Sequence, residues 1–392
     1  MRPVQALAAL LTPLLVLSAC GGGTRHPNAG SSPPAVSSTP PVSISSLTPT
    51  ANSQGVVNIY SHDQTMSASV AGQRPLIYVP NHGDGTVTVI DPSTYKVIDT
   101  FATGNSPQHV VPAYNLQLLY ATNDENGNSL TPISPYTGKR AGPNIPVADP
   151  YNMYWTPDGT SAIVVAEALQ RLDFRDPRTF ALKFSIPVTC AGIDHIDFSA
   201  DLTTLVATCE FAHKLVEVSL LTHKVLAYLS VPGQPQDIKL DPAGKVYYVA
   251  AEYAGGVDLI DATTFRYIGF LPTGPEAHGL YMSRDSRYMY VTNRGGTLAD
   301  PTGDNGSVSV IDVATEKVVA NWPIPHGTPD MGNVSADGKV LWLSGRRSNE
   351  VYALDTTTGR LLARIPVGRE PHGLAVWPQP GRFCLGHTGV MR

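Results

Sequence analysis

The sequence predicts an all-β protein, a seven-bladed β-propeller of four-stranded antiparallel blades. Charged residues make up only 15% of the 392 residues, and 35 Gly with 34 Pro favour short strands and many turns over long helices. A Tyr-centred apolar segment recurs after 42 residues, from Tyr78 to Tyr120 and again from Tyr248 to Tyr290. Each period holds four segments of strand length, which is the content of one blade.

The first 19 residues have the features of a secretory signal peptide. Arg2 supplies a positive charge, and the apolar stretch from Ala6 to Leu17 is too short to span a bilayer comfortably. Leu17-Ser18-Ala19-Cys20, followed by three glycines, resembles a bacterial lipobox. That resemblance implies that Cys20 is lipidated and holds the protein in the cell envelope, at the outer face of the cell membrane. A cleaved signal peptide with an incidental cysteine is the alternative.

Residues 20–54 are predicted to form a disordered tether. They are rich in Ser, Thr, Pro and Gly and contain few large apolar side chains, so burial cannot offset the entropy lost on ordering. The propeller is assigned to residues 55–392.

The four strands of a blade can be recognised in the repeat. One is the Tyr78-Val79-Pro80-Asn81 segment, and the next ends in an acidic turn, as in Val87 to Asp91. A third resembles Lys96 to Phe101. The innermost strand follows a Gly/Pro/His turn, as in Pro371 to Val376. Seven copies are predicted to begin near Leu76, Leu118, Ala162, Thr204, Val246, Tyr288 and Val340.

The ends of the array predict how the ring closes. The array starts on the second strand of a blade and finishes with a first strand at Gly373 to Trp377, which can pair with the opening repeat. Residues Val56 to Ala71 are an alternative source of that innermost strand. The sixth copy is longer because Gly295 to Gly306 inserts a polar, Gly-rich loop.

The Tyr-Val-Thr-Asn repeats, the Pro-His-Gly turns and the Val-Ile-Asp runs resemble the YVTN/YncE-like propeller family over roughly Leu76 to Arg382. The resemblance implies the propeller fold. It does not select a function, because the family's motif residues mostly build strands and turns.

The repeat register predicts a ring of polar side chains at one mouth of the central channel. Alignment of the seven innermost strands on the Pro-His-Gly turn brings together histidines, acids and amides. The aligned pairs are Gln108-His109, Tyr151-Asn152, Asp194-His195, Gln236-Asp237, His278-Gly279, Asp330-Met331 and His372-Gly373.

A second, outer ring is predicted on the same face, just past the second strands. Its members are acidic in copies two to five and basic in copies six and seven, which could seat a zwitterionic or metal-bound ligand. They are His82, Asp124, Glu167, Glu210, Glu252, Arg294 and Arg346. Taken singly, Glu167, Glu210 and Glu252 are expected to be solvated rim charges. Arg346 and Arg347 are adjacent cations and form the candidate anion site.

The proposed ligand-binding set is His109, Asp194, His195, Asp237, His278, Asp330, His372, Arg294 and Arg346. Imidazole and carboxylate groups of this kind also suit a divalent metal at the channel mouth, the one cofactor considered, although no local ligand motif is present. The alternative is that these side chains hydrogen-bond backbone groups in a water-filled channel.

The cysteines predict one disulfide. Cys190 precedes the first strand of the fourth blade, and Cys209 ends the strand beside it, so the two can pair in an exported protein. Two buried thiols are the alternative. Cys384 is left over and has no predicted catalytic role.

Composition and motifs argue against several functions. Lys and Arg (27) are outnumbered by Asp and Glu (32), so a nucleic-acid partner is not expected. The nucleophile elbow, the phosphate-binding loop and the haem-attachment motif are not found. The leading hypothesis is a lipid-anchored binding scaffold for a protein or small-molecule ligand. The alternative is a metal-assisted lyase or lactonase-type hydrolase at the same mouth.

Overall fold

The protein is described here by a computed structural model, which covers residues 58–60, 65–297 and 299–392. The predicted signal peptide, Cys20 and the whole of the predicted tether lie outside the described residues. Within the described residues, no helix is long and apolar enough to cross a membrane.

Seven antiparallel sheets form the blades of a propeller, as predicted. From the innermost strand outwards they are Ala375–Trp377, Leu76–Asn81, Thr86–Asp91 and Lys96–Ala102 (blade 1); Pro107–Pro112, Leu119–Asn123, Ser129–Ser134 and the short pair Lys139–Arg140 and Ile145–Pro146 (blade 2); Asn152–Trp155, Ala162–Ala166, Arg171–Arg175 and Leu182–Pro187 (blade 3); Ile193–Phe198, Thr204–Cys209, Lys214–Ser219 and Lys224–Ser230 (blade 4); Pro235–Leu240, Val246–Ala251, Gly256–Asp261 and Arg266–Pro272 (blade 5); Ala277–Met282, Tyr288–Asn293, Ser307–Asp312 and Lys317–Pro323 (blade 6); and Pro329–Val334, Val340–Gly345, Glu350–Asp355 and Leu361–Pro366 (blade 7).

Strand composition follows position in the blade. The Leu76–Asn81 strand is buried along its whole length, whereas the outer Lys96–Ala102 strand is mostly exposed. The third strands of blades 1, 5, 6 and 7 end in an aspartate that has a local role: Oδ1 of Asp261 accepts the backbone N–H groups of Thr263 at 3.0 Å and Thr264 at 2.7 Å. The Val-Ile-Asp run therefore builds the turn to the outer strand.

The carboxyl-terminal part of the array closes the ring. Ala375–Trp377 pairs antiparallel with Leu76–Tyr78, so blade 1 takes its innermost strand from one end of the array and three strands from the other. The alternative source of this strand is wrong for its described residues: Met66 makes only an isolated bridge to Gly381. The closing strand begins at Ala375, two residues later than predicted, and Gly373 forms an isolated bridge to His109.

Residues 378–392 continue from the closing strand into the centre of the propeller, which the repeat pattern did not predict. Cys384–Gly386 and Val390–Met391 pair with each other, and Gly386 pairs with Tyr154 on the innermost strand of blade 3. A single 3-10 turn, His387–Gly389, lies between these two short strands. This central hairpin, residues 384–391, therefore carries His387 to the axis.

The predicted disulfide is present. Cys190 and Cys209 are bonded, with their Cα atoms 5.7 Å apart, and Cys209 also pairs in register with Ile193 of the innermost strand. Cys384 is buried in the central hairpin and is not part of this disulfide.

Candidate functional site

The innermost strands begin at one end of the channel with a repeated irregularity. In blades 2, 4, 5, 6 and 7 the register with the second strand shifts within the first few residues, as between Pro107 and His109. A bulge of this kind turns side chains away from the regular alternation. It explains how consecutive residues at the entries of these five strands come to line the channel mouth.

The Thr of the Tyr-Val-Thr-Asn repeat holds these strand entries in place. Its hydroxyl accepts a backbone N–H from the bulged segment: Thr122 from His109 at 3.1 Å and Thr292 from Gly279 at 2.7 Å. The Asn has a different partner, because the Asn123 amide donates to the hydroxyls of Ser129 and Thr131 on the third strand. These motif residues therefore act structurally, and the residues beside them form the candidate site.

Four histidines from different blades meet at the mouth. The ring centroids of His109 and His372 are 4.9 Å apart, those of His109 and His195 are 5.4 Å apart, and those of His278 and His372 are 5.8 Å apart. Each of the four is at most 2% exposed. Burial lowers the pKa of all four imidazoles, to about 4 for His195, so the rings are uncharged at neutral pH.

Asp330 is the central anion on one side of this cluster. Its carboxylate accepts hydrogen bonds from Nε of Arg294 at 2.7 Å and from Nδ1 of His372 at 2.5 Å. Nε2 of His278 lies 3.2 Å away. Since Arg294 also donates to Glu252 at 3.2 Å, one guanidinium compensates two carboxylates on blades 5 and 7.

The opposite side carries acids without such compensation. Asp194 is fully buried, and among the described residues no Arg or Lys forms an ion pair with it; its neighbour at 3.0 Å is Nε2 of the uncharged His195. Burial, together with nearby carboxyls, raises the pKa of Asp194, raises that of Glu167 to about 9, and raises that of Glu210 to about 7. These three groups form an acidic sector on blades 3 and 4, which a positively charged group would stabilise.

Two expectations for the outer ring are wrong. Glu252 is not a solvated rim charge: it is 6% exposed and accepts hydrogen bonds from Gln236 at 3.0 Å and from Arg294. Arg347 is not an open anion site, because both its terminal nitrogens bind the Glu276 carboxylate at 2.7 Å. Arg346 instead donates to Gln108 at 3.3 Å and remains half-buried at the rim.

Asp237 differs from the other predicted site residues in its contacts. Its two oxygens accept the backbone N–H groups of Ile238 and Leu280, both at 2.9 Å, and thereby join blade 5 to blade 6. Its Oδ1 lies 3.5 Å from Nε2 of His387. Asp237 thus faces the central hairpin rather than the rim.

The sequence analysis missed His387, which approaches the same cluster from the hairpin. Its ring centroid lies 4.5 Å from that of His195 and 5.2 Å from that of His109. The Asn152 amide nitrogen lies 3.1 Å from Nδ1 of His387 and 3.2 Å from Nδ1 of His195. Nothing in the repeat register could place His387, since the hairpin lies outside the repeat.

Sequence and structure comparisons agree on the fold. A family profile described as a YNCE-like beta-propeller matches residues 50–380. A seven-bladed beta-propeller protein of Mycobacterium tuberculosis is 39% identical over 67 residues, which cover 17% of this chain and 17% of that protein. The matched segment thus spans under a fifth of the relative's length.

Two solved structures with low identity share the architecture. The periplasmic gluconolactonase PpgL of Pseudomonas aeruginosa has a TM-score of 0.63 at 18% identity, over 78% of this chain and 99% of that one. Hydrazine synthase of Kuenenia stuttgartiensis has a TM-score of 0.58 at 20% identity, over 67% of this chain and 87% of that one. At these identities the likeness concerns the fold alone.

Proposed function

The chain belongs to the YNCE-like β-propeller family, and we propose that it is a lipid-anchored binding scaffold of the cell envelope. In this proposal the channel mouth binds a small zwitterionic ligand. The observation that supports this proposal is the separation of acidic and basic side chains around the mouth. Glu167 and Glu210 form one side, and Arg294 and Arg346 form the other. A ligand with an ammonium group and a carboxylate matches both sides.

The rim, rather than the buried histidines, makes the first contact in this proposal. Glu167, Glu210 and Arg346 are half-buried and can be reached without opening the propeller. With its pKa raised to about 9, Glu167 is protonated at neutral pH, and Glu210, with a pKa of about 7, is partly ionised; a ligand ammonium favours the ionised form of both acids, so its binding should release protons.

A binding experiment tests the ligand class. Thermal shift and isothermal titration would compare free amino acids, which are zwitterions, with amines and carboxylates that carry only one of the two charges. We expect a zwitterion to bind, and Glu167→Gln combined with Glu210→Gln to weaken it at least tenfold. Lys317→Gln, on an exposed outer strand, is the control. Failure of every zwitterion to bind the folded wild type would overturn the proposed ligand class.

The anchor is a separate part of the proposal. It is supported by the lipobox-like Leu17 to Cys20 and by the Cys190–Cys209 disulfide, which is typical of exported proteins. Metabolic labelling with an alkyne-tagged fatty acid should mark the wild type and leave Cys20→Ala unlabelled and released from the membrane fraction. Equal fractionation of the two forms would contradict the anchor.

Lactone hydrolysis is the second candidate, favoured by one contact. Asp330 holds Nδ1 of His372, so Nε2 is the basic nitrogen of an uncharged imidazole, and Arg294 supplies positive charge beside it. His372 would take a proton from the attacking water and return it to the ring oxygen as the ester C–O bond breaks. The similar fold of PpgL, described as a gluconolactonase, is consistent with this reaction.

Hydrolysis of glucono-δ-lactone separates the two candidates. An enzyme should release one proton per lactone above the spontaneous rate, and His372→Gln should abolish this excess. His372 is only 2% exposed, which is why we place binding first. If the lactone is hydrolysed at the spontaneous rate in the presence of either the wild type or His372→Gln, the hydrolase hypothesis is eliminated and the binding scaffold remains.

A further inference from the structure

We propose that His109, His195 and His387 bind one transition-metal ion, of the zinc and copper class, at the channel mouth. Two of these ligands come from blades 2 and 4, and the third comes from the central hairpin. One nitrogen of each imidazole lies within 4.8 Å of the corresponding atoms of the other two. The site goes beyond the proposed function, because it can be filled whether or not the rim binds a ligand.

The spacing of the three rings fits a shared ion. The centroids are 4.5, 5.2 and 5.4 Å apart. Imidazoles that bind one tetrahedral ion through nitrogens about 2 Å from the metal have centroids about 5 Å apart. Flat stacking does not explain the arrangement, because the ring planes meet at 59° to 84°. To bind one ion, the three imidazole side chains would need only a small movement toward a common centre.

Unpartnered nitrogens are the second, independent observation. Neither ring nitrogen of His109 has a hydrogen-bond partner among the described residues, whereas Nε2 of His195 and Nε2 of His387 lie beside the carboxyl groups of Asp194 and Asp237. All three side chains are at least 98% buried. A buried imidazole nitrogen normally has a donor or acceptor beside it, so a His109 ring with both nitrogens unpartnered lacks a component. A metal ion would bond to one nitrogen of each ring.

Charged and polar neighbours also suit a cation. Oδ1 of Asp194 lies 3.0 Å from Nε2 of His195, and Oδ1 of Asp237 lies 3.5 Å from Nε2 of His387. These two buried carboxyls can offset the charge of a divalent ion. Asn152 contacts Nδ1 of both histidines and fixes the orientation of their rings.

The neighbouring group His278, Asp330 and His372 is a poorer site, although its ligand atoms are equally close together. The Arg294 guanidinium lies 2.8 Å from Nε2 of His278 and binds Asp330. It already supplies the positive charge there and would repel an ion.

The donor set of the proposed site also selects its metal, since three imidazoles favour zinc or copper, whereas magnesium and calcium prefer oxygen ligands.

Metal content of the full-length protein tests the site without any ligand of the rim. Protein stripped with chelator would be titrated with Zn²⁺, and with Cu²⁺ in parallel, and analysed by elemental mass spectrometry after desalting. We expect one equivalent of one of the two ions per chain. His387→Gln should weaken binding at least tenfold. The control is His326→Gln, which alters a histidine whose side chain is 82% exposed, outside the site.

A spectroscopic measurement on the wild type covers the case in which His387→Gln fails to fold. X-ray absorption at the edge of the bound metal should report three imidazole nitrogens at about 2.0 Å. Absence of a stoichiometric ion, or an ion with oxygen ligands only, would overturn the proposal. Amino-acid binding at the rim is measured separately on metal-free and metal-loaded protein. A failure of metal binding can therefore be distinguished from a failure of ligand binding at the rim.

Discussion

Oδ2 of Asp330 accepts a hydrogen bond from Nδ1 of His372 at 2.5 Å, and this contact joins the entry of blade 7 to the segment that closes blade 1. The same carboxylate binds Arg294 of blade 6. One buried anion therefore connects three consecutive blades at the channel mouth, and the ring and the candidate site depend on the same side chain.

Replacement of Asp330 by Asn should destabilise the protein by about 3–5 kcal/mol. The variant leaves the Arg294 guanidinium buried with only Glu252 as its counterion, and an incompletely compensated buried charge is costly. Urea unfolding followed by Trp fluorescence measures the change. Asp304→Asn breaks the exposed pair with His326 and should cost less than about 1 kcal/mol. Similar losses in both variants would refute this role of Asp330.

Glu167 should contribute a progressive loss of stability as pH rises from about 4.5 to about 9. Burial, with the nearby carboxyls of Asp194 and Asp124, raises its pKa from 4.5 to about 9 in the folded protein. Between these values the folded state retains a proton that the unfolded chain has released, so increasing pH favours unfolding. Glu167→Gln should reduce this fall by at least about 1.4 kcal/mol, the equivalent of one pKa unit.

Asp91 provides a control of opposite sign for that experiment. Hydrogen bonds from Ser93 and Arg74 lower its pKa from 3.8 to about 2. Its contribution is therefore present above pH 4 and is lost as pH falls toward 2. Asp91→Asn should change the acid limb of the urea midpoint against pH and leave the region from pH 6 to 9 as in the wild type. A Glu167→Gln profile parallel to that of the wild type would contradict the assignment.

The repeat made the fold predictable almost to the residue. Second strands were expected to begin near Leu76, Leu118 and Ala162, and they begin at Leu76, Leu119 and Ala162. The strand pattern repeats because each blade buries the same strand faces against its neighbours. The repeat also predicts which residues lie at equivalent positions at the start of each innermost strand. For this reason His109 and His372 could be predicted from the sequence to lie close together.

Two features could not be read from the register. His387 reaches the axis through a hairpin that has no counterpart in the other blades, so no alignment of repeats could place it. Glu252 occupies a rim position, but Arg294 of the next blade turns inward and covers it, which depends on side-chain conformation rather than on spacing. An alignment of repeats compares equivalent positions only, so it cannot predict a side-chain contact between non-equivalent positions of neighbouring blades.

The Cys190–Cys209 disulfide should contribute about 3 kcal/mol to the free energy of unfolding. It closes a loop with a sequence separation of 19 within blade 4, and restriction of the unfolded chain by such a loop has about this effect. Replacement of both cysteines by Ser should lower the urea midpoint accordingly. Dithiothreitol should lower the midpoint of the wild type and leave that of the double variant unchanged. Equal sensitivity to reductant would mean that the stabilisation does not come from this bond.

Removal of the Trp377 side chain, which fixes the closing strand Ala375–Trp377 in the core, should open the ring of blades. Trp377 is 1% exposed, packs in the core between blades 1 and 2, and donates its indole N–H to Gln73 at 2.9 Å. Trp377→Ala should cost about 3–5 kcal/mol through the cavity it leaves. It should also speed amide hydrogen exchange in Leu76–Asn81, because that strand then becomes the edge of blade 1. Leu221→Ala, at a side chain 68% exposed, should change stability by less than about 0.5 kcal/mol. If exchange rises evenly over all seven blades instead, the strand does not act as a local closure, and the ring unfolds only as a whole.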